Sequence, residues 1–159
     1  MNKNEFIENC RLLGINITEE KYNLLDKYKD LLIEWNNKFN LTSIIEEKDI
    51  FLKHFYDSLC LVKAIDLNDV ESLCDVGTGA GFPGLVLKIM FEDLKVDLIE
   101  SSNKKCEFLK NVIEELNLKN IEVINERAEL YAKSSREKYD VVTCRAVSHL
   151  KVISEICIP

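Results

Sequence analysis

The sequence predicts an α/β protein in which a helical segment precedes a mostly parallel β-sheet. Strand-like and helix-like patterns alternate from about residue 72 onward, which is typical of βαβ units. A cluster of glycines follows the first of these strands, as in sheets that bind ligands at the carboxyl ends of their strands. The length of 159 residues is enough for one well-buried core.

Composition narrows the class of protein. The formal net charge is −7, so the chain has no overall positive field that would attract nucleic acid, and any RNA contact would need a local patch or shape recognition. The N-terminus MNKNEFIENC is polar and no apolar run approaches the length of a membrane span. The six cysteines form no CxxC pair, which favours packing over metal binding. We therefore expect a cytoplasmic protein without a membrane partner or a metal.

Residues 1–68 are predicted to form a helical segment that packs on the sheet domain. Thr18 precedes Glu19 and Glu20, as an N-cap residue would. An apolar stripe at helical spacing follows, and a second amphipathic stretch runs from Ile50 to Val62. The stripe comprises Tyr22, Leu25, Tyr28, Leu32, Trp35 and Phe39. His54 and Asp57 share a helical face, and either a packing role or a place on the substrate side is compatible with that spacing.

Residues 69–159 are predicted to form the sheet domain. Strands are expected at 72–76, 95–100, 120–124 and 139–144, with helices at 85–90 and 104–116. The chain stops in the apolar stretch ICIP soon after the fourth strand. A doubly wound sheet needs further strands at that edge, so we expect the sheet to be truncated at its C-terminal strands.

The loop DVGTGAGFPG supports two hypotheses about a ligand. Gly79-x-Gly81-x-x-Gly84 matches the dinucleotide fingerprint, in which a pyrophosphate rests on a helix N-terminus. Asp75-x-Gly77-x-Gly79-x-Gly81 instead resembles the first motif of class I methyltransferases, whose loop wraps the methionine part of S-adenosylmethionine. A carboxylate at position 75 would repel a pyrophosphate and suits a cationic cofactor, which favours the second hypothesis.

Two further acidic positions follow later strands. Glu100 ends the second predicted strand, where a carboxylate can accept hydrogen bonds from ribose hydroxyls of either cofactor. Ala128 and Glu129 follow the third strand and could enclose an adenine ring, although Glu129 could equally be a helix-starting glutamate.

The motifs DVGTGAGFPG, LIESSNKKCEFL, ERAE and VVTCRAV together resemble the family of ribosomal RNA small subunit methyltransferase G, also named glucose-inhibited division protein B. The residues NLT at 40–42 and KHFYDS at 53–58 also look like motifs of this family. The resemblance implies a Rossmann-like class I methyltransferase sheet and S-adenosylmethionine as the cofactor. It also implies methyl transfer to N7 of a guanine in 16S ribosomal RNA, with that RNA, within the ribosomal subunit or its precursor, as the partner.

The resemblance implies cofactor contacts from Gly77, Phe82, Ala128, Glu129 and Arg145, to which the reasoning above adds Gly79 and Glu100. No general base is expected, because guanine N7 carries a free lone pair and the reaction then depends on positioning. Two alternatives remain at this stage. One is a nicotinamide dinucleotide-binding oxidoreductase, and the other is a truncated cofactor-binding fragment without turnover.

Overall fold

The first two helices each begin directly after an N-cap residue, Asn2 and Thr18. The computed structural model describes residues 1–42, 46, 49–127, 130–131, 138–146 and 149–152. Helix α1 spans Lys3–Leu12, and helix α2 spans Glu19–Asn36. The Thr18 hydroxyl accepts a hydrogen bond from the backbone N–H of Lys21 at 3.1 Å, so the predicted N-cap is confirmed.

A third helical run follows and differs from the regular amphipathic helix that the sequence predicts. It is a π-helix over Ile50–Tyr56, an α-helical turn over Asp57–Leu59 and a 3₁₀ turn over Cys60–Lys63. Its buried residues come in adjacent pairs repeated every four positions: Ile50, Phe51, His54, Phe55, Ser58 and Leu59. A repeat of four exceeds the 3.6 residues of an α-helical turn, so a wider turn keeps these pairs on one side. A short 3₁₀ turn at Leu67–Asp69 leads into the sheet.

The sheet has the strand order β3-β2-β1-β4-β5. Its first four strands are β1 (Ser72–Val76), β2 (Lys95–Glu100), β3 (Ile121–Asn125) and β4 (Val141–Ala146), and they are parallel to one another. Helix α3 (Gly84–Met90) connects β1 to β2, and helix α4 (Asn103–Glu115) connects β2 to β3. The predicted Rossmann-like α/β sheet is confirmed.

The edge strand β5 (His149–Val152) was not predicted from the sequence. It pairs with β4 in an antiparallel register, in which Thr143 lies opposite Val152. The segment alternates polar and apolar residues over only four positions, which is too short for the pattern to be recognised.

The two faces of the sheet have separate cores. The larger core lies between the sheet and the helices and contains Leu25 and Leu32 of α2 together with Leu73 of β1 and Leu98 of β2. The smaller core lies on the opposite face around Cys74 and Ile99. Residues from both predicted segments thus share the larger core, while the division at residues 68 and 69 stays a prediction. Within the described ranges, no helix has both the length and the apolar character needed to cross a membrane.

Candidate functional site

The glycine loop lies at the carboxyl edge of the parallel strands, between the end of β1 and the start of α3. Gly77 and Gly79 have φ angles of +64° and +60°, which L-residues with side chains rarely adopt. A Cβ built on either glycine would meet nothing within 4 Å. The loop therefore presents an open strip of backbone at the edge where such sheets bind ligands.

Asp75 faces the interior of the protein rather than the open side of the loop. Its side chain is fully buried, and Oδ2 accepts hydrogen bonds from the Thr78 hydroxyl at 2.6 Å and from the Gly84 N–H at 2.8 Å. Oδ1 accepts from the Thr143 hydroxyl at 3.1 Å. The charge of Asp75, which the sequence indicates would suit a cationic cofactor, therefore lies behind the loop and not on its open side. Its carboxylate instead fixes the two ends of the loop to each other and to β4.

This position of Asp75 also bears on the dinucleotide hypothesis. In the dinucleotide fingerprint, a pyrophosphate binds the free N–H groups at the start of the helix that follows the loop. The N–H of Gly84, the first residue of α3, already donates to the Asp75 carboxylate. A second anion at this helix end would lie close to a buried negative charge, which is unfavourable at low dielectric.

The Glu100 side chain is hydrogen-bonded to the backbone of Gly79. The Glu100 side chain is 8% exposed, and its Oε1 accepts a hydrogen bond from the Gly79 N–H at 2.9 Å. Oε2 accepts from the Ser102 N–H, also at 2.9 Å. A carboxylate offers about four acceptor positions, so further hydrogen-bond donors can still approach Glu100 from the ligand side.

Phe82 is held by the N-terminal segment. Its side chain is 4% exposed, with the His54 ring stacked on it at a centroid distance of 4.1 Å and an interplanar angle of 4°. The Tyr28 ring stacks on Phe82 at 5.7 Å. The ring of Phe82 therefore contacts the helical segment, and any contact of this residue with a ligand in the loop would come from its backbone.

The remaining predicted site residues belong to other strand ends. Arg145 lies in β4, opposite Leu150 in the register with β5, and its side chain lies outside the described part of the chain. Ala128 and Glu129 also lie outside the described residues. The structure thus brings Gly77, Gly79 and Glu100 together at one edge.

Sequence reasoning missed three side chains that build this site. Thr78 and Thr143 bind the buried carboxylate of Asp75, and Tyr28 reaches the loop from helix α2. The proximity of Thr78 to Asp75 is a local signal, because Thr hydroxyls often bind nearby side chains in turns. Tyr28 lies 52 residues from its partner, and no local pattern indicates such a contact.

A cavity of about 600 Å³ lies at the opposite, amino edge of the sheet, lined by residues that include Lys21, Lys88 and Asn117. The Lys88 ammonium group donates to the carbonyls of Glu92 and Leu94 there, and burial lowers its pKa. No residue of the glycine loop is among those that line this cavity. Among the described residues, no group of three or more His, Cys, Asp or Glu side chains could hold a metal ion.

Comparisons with known proteins converge on one family. The family model described as GidB, rRNA small subunit methyltransferase G, matches residues 21–159. A curated Bacillus subtilis protein named ribosomal RNA small subunit methyltransferase G is 45% identical over 161 residues, covering 100% of this chain and 67% of that protein. A Staphylococcus aureus (strain JH9) protein of the same name is 50% identical over 147 residues, covering 92% of this chain and 62% of that protein. This chain is therefore shorter than both curated relatives.

A solved structure has a similar fold. A crystal structure of a mutant of MtNAS matches with a TM-score of 0.50 and 17% sequence identity, covering 82% of this chain and 50% of that one. At this identity the likeness concerns the arrangement of helices and strands alone.

Proposed function

The chain belongs to the rRNA small subunit methyltransferase G family, and from that membership we propose that it binds S-adenosylmethionine at the glycine loop and serves methyl transfer to ribosomal RNA. The observation that carries the proposal is the open strip of backbone at Gly77 and Gly79 beside the Glu100 carboxylate. A family match over residues 21–159 supports the reaction class. The structure of the loop supports the position of the cofactor.

The residues of the loop fit this cofactor. The space above Gly77 and Gly79, where a Cβ would meet no protein atom within 4 Å, can receive the methionine part. The Glu100 carboxylate can accept hydrogen bonds from ribose hydroxyls while it keeps its bonds to Gly79 and Ser102. When bound, S-adenosylmethionine supplies an electrophilic methyl group on a sulfonium centre.

A diphosphate fits the same loop less well. The Asp75 carboxylate already accepts a hydrogen bond from the Gly84 N–H, and the Glu100 carboxylate accepts one from the Gly79 N–H. These N–H groups are the donors that a pyrophosphate would need, and both carboxylates would repel it. The nicotinamide hypothesis therefore loses the anion site on which it depended.

We further propose N7 of a guanine in small-subunit ribosomal RNA as the methyl acceptor. N7 carries a lone pair at neutral pH, so no side chain has to remove a proton from the nucleophile. The work of the chain is then to hold the cofactor and the base in line. Ala128, Glu129 and Arg145 are the remaining residues that we propose for cofactor contacts, on the strength of the family motifs ERAE and VVTCRAV.

Isothermal titration calorimetry separates the candidate ligands. We expect S-adenosylmethionine to bind the chain with one-to-one stoichiometry and NAD to bind far more weakly. Tighter binding of NAD would reject the proposal. Transfer of a radiolabelled methyl group to small ribosomal subunits by this chain would distinguish an enzyme from a cofactor-binding fragment without turnover.

A further inference from the structure

The N-terminal segment contacts the glycine loop through a cluster of buried rings. We call this cluster the aromatic clamp, and it consists of Phe82 and the three rings around it, those of Tyr28, His54 and Phe55. Phe82 is the one member that belongs to the loop. Its ring lies against His54 at 4.1 Å and against Tyr28 at 5.7 Å, and the Phe55 ring is 6.2 Å away. Tyr28 and Phe55 also stack on each other at 5.2 Å. Each of the four side chains is at least nine-tenths buried.

Tyr28 adds a directional contact to the clamp. Its hydroxyl donates a hydrogen bond of 2.5 Å to the carbonyl of Ala80, a residue of the loop itself. Both groups lie in the interior, where an unmade hydrogen bond is costly. The ring of Tyr28 therefore packs on one loop residue while its hydroxyl holds the backbone of another.

The loop is shaped to receive this hydroxyl. Gly81 has a φ angle of +105°, and a Cβ built on it would overlap the Tyr28 hydroxyl oxygen. The N–H groups of Gly81 and Phe82 both donate to the Thr78 carbonyl, at 3.0 and 3.1 Å. The turn from Thr78 to Phe82 is thus fixed from inside by its own hydrogen bonds and from outside by Tyr28.

We propose that Tyr28 is a positioning residue for the cofactor, which sets the shape of residues 79–82 through the Ala80 carbonyl and the Phe82 ring. This inference rests on the proposed function, and it extends the cofactor site into the N-terminal helical segment. A loop that populates its binding shape only part of the time binds more weakly in proportion to that fraction. Loss of the hydroxyl then raises the dissociation constant for S-adenosylmethionine without any contact between Tyr28 and the cofactor.

The test compares Tyr28→Phe with Ile50→Val in the otherwise intact chain. Tyr28→Phe keeps the ring and removes the hydroxyl. Ile50→Val removes one methylene from a fully buried side chain of the N-terminal segment, so it lowers the melting temperature and leaves the Tyr28 hydroxyl in place. Calorimetry gives the dissociation constant for S-adenosylmethionine, and hydrogen exchange of the peptide spanning residues 77–84 reports the loop without ligand.

We expect Tyr28→Phe to weaken binding about five-fold, the change that corresponds to one buried hydrogen bond of about 1 kcal/mol. Exchange at Gly81 and Phe82 should accelerate in this variant, and Ile50→Val should change neither quantity. Gly81→Ala provides a second test, since its Cβ would overlap the Tyr28 hydroxyl and also meet Leu85 at 2.9 and 3.0 Å. It should impair binding less in the Tyr28→Phe background, where the hydroxyl overlap is absent and only the Leu85 contacts remain.

The outcomes separate this inference from the proposed function. If the wild-type chain binds S-adenosylmethionine and Tyr28→Phe matches Ile50→Val in both affinity and loop exchange, Tyr28 has only a structural role and the inference is overturned. If the wild-type chain does not bind S-adenosylmethionine at all, the proposed function fails and the inference fails with it.

Discussion

Replacing Glu100 by glutamine probes the cofactor site with the smallest change in shape. The carboxylate accepts hydrogen bonds from two backbone N–H groups, of Gly79 and Ser102, at 2.9 Å each. The amide of glutamine has one oxygen, so its nitrogen must face one of these two donors. One partly exposed N–H group then loses its acceptor in the protein, and the free energy of unfolding should fall by about 0.5–1.5 kcal/mol.

The effect of Glu100→Gln on binding should exceed its effect on stability. A hydrogen bond to a charged group contributes about 1.5–3 kcal/mol. If the carboxylate binds the ribose as we propose, its loss should weaken the binding of S-adenosylmethionine roughly 10- to 150-fold. Calorimetry gives the affinity, and urea unfolding gives the stability. Glu107→Gln, on the exposed side of α4, removes the same charge and is the matched control.

Two results would refute the reasoning about Glu100. Binding by Glu100→Gln within about two-fold of the wild type would show that the carboxylate does not contact the cofactor. Equal weakening by Glu107→Gln would show that net charge, rather than a contact, is responsible.

Three other substitutions test the loop and the core. Gly77→Val should abolish cofactor binding. Its control is Gly14→Val, which introduces the same kind of backbone strain at a φ of +86° in open space and should lower stability by a similar amount while leaving binding intact. Cofactor binding by Gly77→Val would contradict the proposed position of the cofactor. Asp75→Asn should lower the free energy of unfolding by about 1.5–3 kcal/mol in urea unfolding, and exposed Asp69→Asn by far less; equal effects would argue against the buried network. Burial raises the pKa of the Cys10 thiol to about 12, so unfolded chains ionise first and stability should fall by about 1.4 kcal/mol per pH unit from about pH 9 toward pH 12. Burial also raises the pKa of the Cys60 and Cys106 thiols, so the slope for Cys10→Ala should be smaller than that of the wild type by the Cys10 contribution, and parallel pH profiles of the two proteins would disprove the assignment.

The repeating pattern of the sheet domain is the part of the fold that the sequence predicts best. β1 begins and ends at the predicted residues 72 and 76, and β2 at 95 and 100. Both strands carry apolar residues among a few polar ones and lie next to turn-forming segments, so their ends are marked locally. β4 starts at Val141 rather than at Tyr139. Tyr139 donates its hydroxyl to the buried Asp97 carboxylate across the sheet, a long-range contact that local pattern does not report.

The candidate site was predictable in position and less so in orientation. The glycine spacing identified Gly77 and Gly79 as site residues, because glycine permits the backbone conformations that the loop requires. Glu100 was identified by its position at the end of the second strand. The direction of the Asp75 carboxylate was not predictable, since one of its hydrogen-bond partners, Thr143, comes from the distant strand β4. The contact between Tyr28 and the loop likewise depends on how helix α2 packs against the sheet, which only the folded chain determines.

The most direct test of the account follows the backbone amide signals of ¹⁵N-labelled protein during titration with S-adenosylmethionine. We expect the signals of Gly77 and Gly79 to shift first and most, while those of Lys21 and Asn117 at the cavity on the amino edge stay unchanged. Shifts confined to that cavity, with the glycine loop unaffected at saturation, would contradict this expectation.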